Sequence, residues 1–298
     1  GGIDITAEKE YQPVQPVVSK AYQLTVKGLR GGHSGIDIHK GFGNSNKLLN
    51  RLLFALNDDI AIAEINGGGL RNAIPRESFA VFVIDQDIQQ TYEQCRQDII
   101  NEYHKVEPNI EILLETASTP DSVMSRSEQD DLIKTVYTIH NGVFRMSPDI
   151  EGLVETSNNV ARVLVKDGRI KILSLTRSAT EVGKMDLAIQ IKCGLEMGGF
   201  VVTLDGSYPG WKPNPDSKIL KVLQDVYQHM FNDQPKIIAY HAGLECGILG
   251  TNYPDMDMIS FGPTIQRAHS PDERASISST QKFWKFLLEI LQSIPEKE

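Results

Sequence analysis

Twice in this chain, two strand-like runs follow one another with only a turn between them, and helix-like segments flank each pair. Residues 19–28 (Ser-Lys-Ala-Tyr-Gln-Leu-Thr-Val-Lys-Gly) alternate with period two, as a half-buried strand does. Within 44–56, Leu48, Leu49, Leu52, Leu53 and Leu56 fall at helical spacing. Residues 60–65 and 78–84 read as strands, separated by Gly67-Gly68-Gly69 and Pro75. A helix over 88–104 and a strand over 109–115 follow, so the order is β-α-β-β-α-β. A second such unit is predicted from a helix over 127–140, a hairpin of 161–165 with 170–175 around Lys166-Asp167-Gly168, a helix over 184–197 and a strand over 200–204. Strands that adjoin strands without a crossover helix argue for an α+β fold. Its sheet is antiparallel with helices packed on it, not doubly wound and parallel.

The pattern breaks at Tyr208-Pro209-Gly210-Trp211-Lys212-Pro213-Asn214-Pro215, whose three prolines and glycine mark a loop and a domain boundary. The predicted domains are therefore 1–206 and 207–298. In the second, a helix over 217–231, a strand over 236–240, a helix start at Ala242-Gly243-Leu244-Glu245-Cys246-Gly247, a short strand over 258–261 and an amphipathic helix over 278–293 give an αβαβα order. That is a partial α/β layer, and half a sheet leaves an apolar face needing a complement.

Composition narrows the function classes. The 298 residues are 40% hydrophobic with a formal charge of −9, which argues against a nucleic-acid partner. No run of about 18 apolar residues is present, so no membrane partner is expected. Cys95, Cys193 and Cys246 are far apart and odd in number, which fits reduced thiols in a cytoplasm better than a disulfide scaffold or an all-cysteine metal site. The chain opens at Gly1-Gly2-Ile3-Asp4-Ile5-Thr6 inside a strand-like run, with no initiator Met and no basic-then-apolar leader, so a fragment or a processed product is expected.

Few residues stand out as carriers of chemistry. His33, in Gly31-Gly32-His33-Ser34-Gly35, sits in a glycine-rich turn after a strand. There it can bind metal, pass a proton or donate to an oxyanion, or be a plain turn histidine. Asn72, in Arg71-Asn72-Ala73-Ile74-Pro75-Arg76, has two donors and an acceptor on a short stem, suited to reading a backbone or to capping a turn. Arg177 closes a predicted strand, where a guanidinium can clamp a carboxylate or simply form a surface ion pair. His269-Ser270-Pro271-Asp272-Glu273 follows an apolar strand and the turn Gly262-Pro263-Thr264, a place where sites are built in α/β sheets, and His269 there is a candidate metal ligand. His241 and Glu245 are four apart and read as a cap, and His39, His104, His140 and His229 as structural or surface residues. A zinc site needs three or four ligands, and no HExxH or HxD spacing supplies them. Walker, GxSxG and GxGxxG motifs are also missing from the sequence.

Taken together, six segments resemble the aminoacyl-histidine dipeptidases, in the carnosinase-like superfamily of dinuclear zinc metallopeptidases. They are Gly28-Leu29-Arg30-Gly31-Gly32-His33-Ser34-Gly35, residues 68–77, Tyr208-Pro209-Gly210-Trp211, residues 241–247, residues 256–264 and His269-Ser270-Pro271-Asp272-Glu273. They run in family order across nearly the whole chain. The resemblance implies a catalytic domain interrupted by an inserted lid. Residues 1–206 would then be a lid of dimerisation type, and 207–298 the C-terminal part of the catalytic domain.

It also implies two zinc ions per intact site, with cobalt or manganese able to replace them, and places the late metal-ligating histidine at His269. The remaining ligands and the acidic general base would precede the lid, so the chain as given is expected to be inactive alone. The implied reaction is hydrolysis of dipeptides, of Xaa-His type, by a zinc-activated water. His33 would stabilise the oxyanion, and in related dimers this histidine comes from the partner subunit. Asn72 and Arg177 would hold the substrate backbone and its free carboxylate, while Gly243 and Thr264 shape the pocket. A homodimer in the cytoplasm is the implied setting. Two other readings compete: a non-catalytic binding or dimerisation module, and a related deacylase or aminotripeptidase.

Overall fold

Period-two runs become strands because their alternate side chains are buried against helices. Ile3, Ile5 and Ala7 in one strand, and Leu24 and Val26 in the next, are almost wholly buried. The computed structural model describes all residues except 19, 215, 240–244, 267–272 and 295–298. Two compact units emerge, the first holding Gly1–Gly210 and the second beginning at Trp211.

In the first unit the strands are β1 (Gly2–Glu10), β2 (Ala21–Lys27), β3 (Gly32–His33), β4 (Ile60–Gly68), β5 (Ala73–Ile74), β6 (Ser78–Ile84), β7 (Glu111–Ala117), β8 (Gly142–Met146), β9 (Val154–Lys166), β10 (Arg169–Ser178) and β11 (Val201–Tyr208). Between them lie the helices α1 (Ser45–Ala55), α2 (Gln89–Tyr103), α3 (Arg126–Thr138) and α4 (Glu181–Met197). Nine strands form one sheet in the order β11-β1-β10-β9-β4-β6-β2-β7, with β8 beside β9, and every pairing is antiparallel. The small strands β3 and β5 pair with each other.

The sheet is built from the same motif used twice. Strand β2, helix α1, strands β4 and β6, helix α2 and strand β7 make one β-α-β-β-α-β half. Strand β1, helix α3, strands β9 and β10, helix α4 and strand β11 make the other, with the first half inserted after β1. Counting outward from the junction of β4 with β9, both halves place their second, third, first and fourth strands in the same order. The halves join through Ile65, Asn66, Gly67 and Gly68 of β4, opposite Val165, Leu164, Val163 and Arg162 of β9. One core runs beneath both, with Leu48, Leu52, Leu132, Leu187 and Leu195 of the helices packed on Phe82, Val160 and Ile172 of the strands. Side chains cap three of the helices: Asn44 for α1, Ser125 for α3 and Thr180 for α4. The expected α+β class with two repeated halves is therefore the fold of this unit.

Strand β9 is longer than its sequence suggests. It begins at Val154, and residues 154–161 are all buried although Glu155, Thr156, Ser157, Asn158 and Asn159 are polar. A strand covered on both faces has no apolar–polar alternation to read.

The second unit contains α5 (Lys218–Phe231), α6 (Glu245–Asn252), a two-residue hairpin of β12 (Ile265–Gln266) with β13 (Arg274–Ala275), and α7 (Ile277–Ser293). Its core is Leu223 and Val226 against Phe286 and Ile290, ringed by Tyr227, Phe231 and Ile259. The predicted strands at 236–240 and 258–261 do not form: 236–239 and 258–261 have no strand pairing. An apolar run becomes a strand only where its backbone donors and acceptors meet a neighbour, and no described segment supplies one here. No helix among the described residues is long and apolar enough to cross a membrane.

Candidate functional site

The turn after β2 brings the sequence-predicted residues together in the first unit. In the pairing of β3 with β5, His33 stands opposite Ala73, the residue after Asn72. The next residue, Ser34, donates its N–H to the Asn72 carbonyl at 2.8 Å. Ser34 is buried, and its hydroxyl accepts from Nε of Arg177 at 3.2 Å. A Cβ on Gly35 would lie 3.1 Å from the His33 ring and 3.4 Å from Arg177 Nε. A side chain there would press on both, so the glycine leaves room for imidazole and guanidinium to lie on either side of it. His33, Asn72 and Arg177, scattered through the sequence, thus share one site.

Each group is held in its own way. The His33 N–H donates to Asp37 Oδ2 at 2.8 Å, and the Gly35 N–H donates to the imidazole Nδ1 at 3.1 Å. With Nδ1 accepting, the proton of a neutral ring sits on Nε2, which makes Nε2 a donor. Burial alone would raise the Asp37 pKa, but hydrogen bonds from Lys40 and the His33 N–H, with the charge of Lys40, hold it below the usual value. Asn72 is exposed at the tip of a turn. Asn159, 1% exposed, donates to the carbonyls on either side of it, Arg71 at 3.0 Å and Ala73 at 2.8 Å. Arg71 ties the same turn to the sheet, reaching the Ile5 and Ser174 carbonyls, the Thr6 hydroxyl and the Asp4 carboxylate.

Arg177 is 5% exposed. Its Nη1 donates to the Tyr208 hydroxyl at 2.8 Å, so both of its described partners are hydroxyls. Among the described residues no carboxylate pairs with it, and Asp4, the acid nearest in electrostatic effect, is engaged by Arg71. Burial lowers the Arg177 pKa, and Tyr208 and Asp4 counter it. A guanidinium stays charged near neutral pH in spite of this. The result is a buried cation whose anionic partner is not among the described residues.

Three predicted residues lie elsewhere. Thr264 is exposed in the second unit, its N–H donating to the Ser279 hydroxyl at 2.9 Å and its carbonyl accepting from Ser276 N–H at 3.0 Å. Gly243 and His269, with His241, are outside the described residues. Among the described residues no three His, Cys, Asp or Glu side chains come together as a metal site. Sequence reasoning passed over Asn159 and Tyr208. Asn158-Asn159 inside a strand breaks local preference, since asparagine is disfavoured there, and such breaks tend to fall at functional places. Tyr208 reads as part of a linker because the prolines that follow it dominate the pattern.

Residues 24–111 match the peptidase dimerisation domain family. All of this chain aligns with 63% of the cytosol non-specific dipeptidase of Escherichia coli (strain K12), at 39% identity. All of it also superposes on 62% of the crystal structure of aminoacylhistidine dipeptidase from Vibrio alginolyticus, at 39% identity and a TM-score of 0.92. The chain therefore spans less than two thirds of the relatives it matches, and over that span it is similar to these dipeptidases.

Proposed function

We propose that the protein carrying this chain is a metal-dependent dipeptidase acting on Xaa-His dipeptides, and that this chain supplies its oxyanion donor and its carboxylate clamp. The supporting observation is Arg177, a buried guanidinium with hydroxyl partners and no described carboxylate. Burying such a charge is costly unless an anion completes it. The C-terminal carboxylate of a dipeptide is such an anion, and a clamp on it limits the substrate to two residues. His33, close by with Nε2 as its donor nitrogen, is suited to the charge that develops on the scissile carbonyl oxygen. Asn72 reads the substrate backbone.

The described residues do not form a metal-binding set, so a pair of zinc ions, or cobalt or manganese in their place, would depend on His269 and on ligands beyond those described. The roles assigned to this chain's own side chains are binding and charge stabilisation. The name of the Escherichia coli relative favours a cytosolic setting, and the match to a dimerisation family favours a homodimer.

The test compares a dipeptide with its C-terminal amide on the full-length protein. The amide should raise KM by roughly 10²-fold, the scale of leaving a buried charge unpaired, and Arg177→Ala should abolish the difference. Equal turnover of acid and amide by the unaltered protein would show that Arg177 does not select a free C-terminus.

A further inference from the structure

The turn that holds His33 is itself held by a residue far away in sequence. Glu107 lies past the end of α2, in the connection to β7, and is 0% exposed. Its two carboxylate oxygens are used separately: Oε2 accepts from the Arg30 N–H at 2.7 Å, and Oε1 from the Gly43 N–H at 2.9 Å. These amides stand at the two ends of the segment between β2 and α1 that carries His33. The same base is tightened by the Arg30 guanidinium, 5.7 Å from the centre of the Phe42 ring. The tip is fixed separately, by the pairing of β3 with β5 and the bond from Ser34 to Asn72.

A segment of this length, with little secondary structure of its own, would otherwise sample many closed shapes. One carboxylate bonded to both ends selects a single one. Placing a carboxylate where water cannot reach it is unfavourable unless both oxygens are satisfied, and two backbone N–H groups satisfy them. Neither amide is in a helix or strand, so in the described structure Glu107 provides for both.

We propose that Glu107 is a positioning residue for His33: by pinning Arg30 and Gly43 it sets where the imidazole stands relative to Arg177 and Asn72. The proposal rests on the reading of His33 as oxyanion donor. Misplacement of a catalytic group by about 1 Å can cost up to about 10²-fold in rate, so a residue that never touches substrate can still govern kcat.

Glu107→Gln is the discriminating change, because it keeps the size but turns one acceptor oxygen into an amide that meets a backbone N–H donor to donor. Residue-resolved hydrogen exchange and steady-state kinetics on an Xaa-His dipeptide are measured on the full-length protein, its Glu107→Gln and His33→Ala variants, and the double variant. The Arg30 and Gly43 amides should be protected like strand amides in the unaltered protein. In Glu107→Gln, exchange across 30–43 should accelerate by about 10-fold or more while the sheet stays protected. Its kcat should fall by about 10-fold with KM little changed. In the His33→Ala background the same substitution should lower kcat no further, because residues acting through one group are not additive.

Fast exchange at Arg30 and Gly43 in the unaltered protein overturns the proposal, and does so even if Glu107→Gln fails to fold. An undiminished kcat loss in the His33→Ala background overturns it too, since Glu107 would then act by another route. Unchanged kcat in His33→Ala is a separate result: it removes the oxyanion role itself, and with it anything for Glu107 to position.

Discussion

The two halves of the sheet share one strand order but equip the site differently. The first half contributes His33 and Asn72 from the connections after β2 and β4, with only two-residue strands to hold them. The second half contributes Asn159 and Arg177 from within β9 and β10, with Arg177 registered against strands on both sides and Asn159 against β10. Loop-borne groups need extra restraints, and the structure provides them: Asp37 on the His33 N–H, and Asn159 on both carbonyls flanking Asn72. Strand-borne groups need few, because a strand buried among neighbours has little freedom to lose. Removing a loop-borne group should therefore cost function with stability intact, whereas removing a strand-borne one should cost both.

The largest effect is expected at His33. His33→Ala should cut kcat of the full-length protein by roughly 10²–10³, the scale of one lost oxyanion donor. Its thermal midpoint should barely move, since a half-buried side chain at a turn contributes within about 0.5 kcal/mol. Near-normal kcat removes the proposed role, and a large fall in the midpoint breaks the contrast between the halves.

Asn159→Ala comes next and should behave in the opposite way. It removes two hydrogen bonds from the Asn72 turn and leaves the half-buried Arg71 and Ala73 carbonyls without that donor. The expected loss is about 1–3 kcal/mol in urea unfolding, together with a several-fold rise in KM. Unchanged stability would show that the strand-borne asparagine is not a structural restraint at all.

The contrast also explains what the sequence made legible. The repeated β-α-β-β-α-β order could be read because alternation such as Ile3, Ile5, Ala7 is a direct consequence of one buried face. His33, Asn72 and Arg177 could be picked out as strong donors beside glycine-rich segments or at a strand end, although each position also suits an ordinary turn or surface role. Their convergence could not, since it depends on β3 pairing with β5 across intervening chain and on how β10 is registered against β1. Asn159 is hidden because a strand buried on both faces shows no period, and Glu107 because nothing in the local pattern tells a buried loop carboxylate from a solvated one. The apolar runs at 236–240 and 258–261 misled for the converse reason. Periodicity reports the wish to be buried, and a strand needs a partner as well.

The smallest effect is also the sharpest test of how strand register shapes the site. Gly2 of β1 stands opposite Arg177 on one side and opposite Tyr208 on the other, so the two side chains flank a glycine. A Cβ at Gly2 would fall 2.4 Å from the Tyr208 hydroxyl, which means the phenol crosses β1 only because position 2 has no side chain. Tyr208→Phe keeps the ring and removes one hydrogen bond to the guanidinium, worth about 1 kcal/mol and so roughly 5-fold in KM. Arg177 keeps its bond to Ser34, so kcat and the preference for a free C-terminus should survive. Gly2→Ala keeps the phenol and blocks its path, and should give the same rise in KM or a larger one, because the added methyl must also displace the ring. If the orientation of Arg177 is set through the hydroxyl, the two changes combined should cost little more than Gly2→Ala alone. Independent, additive effects on KM would instead mean that Ser34 alone orients the guanidinium, and that Tyr208 merely fills space beside it.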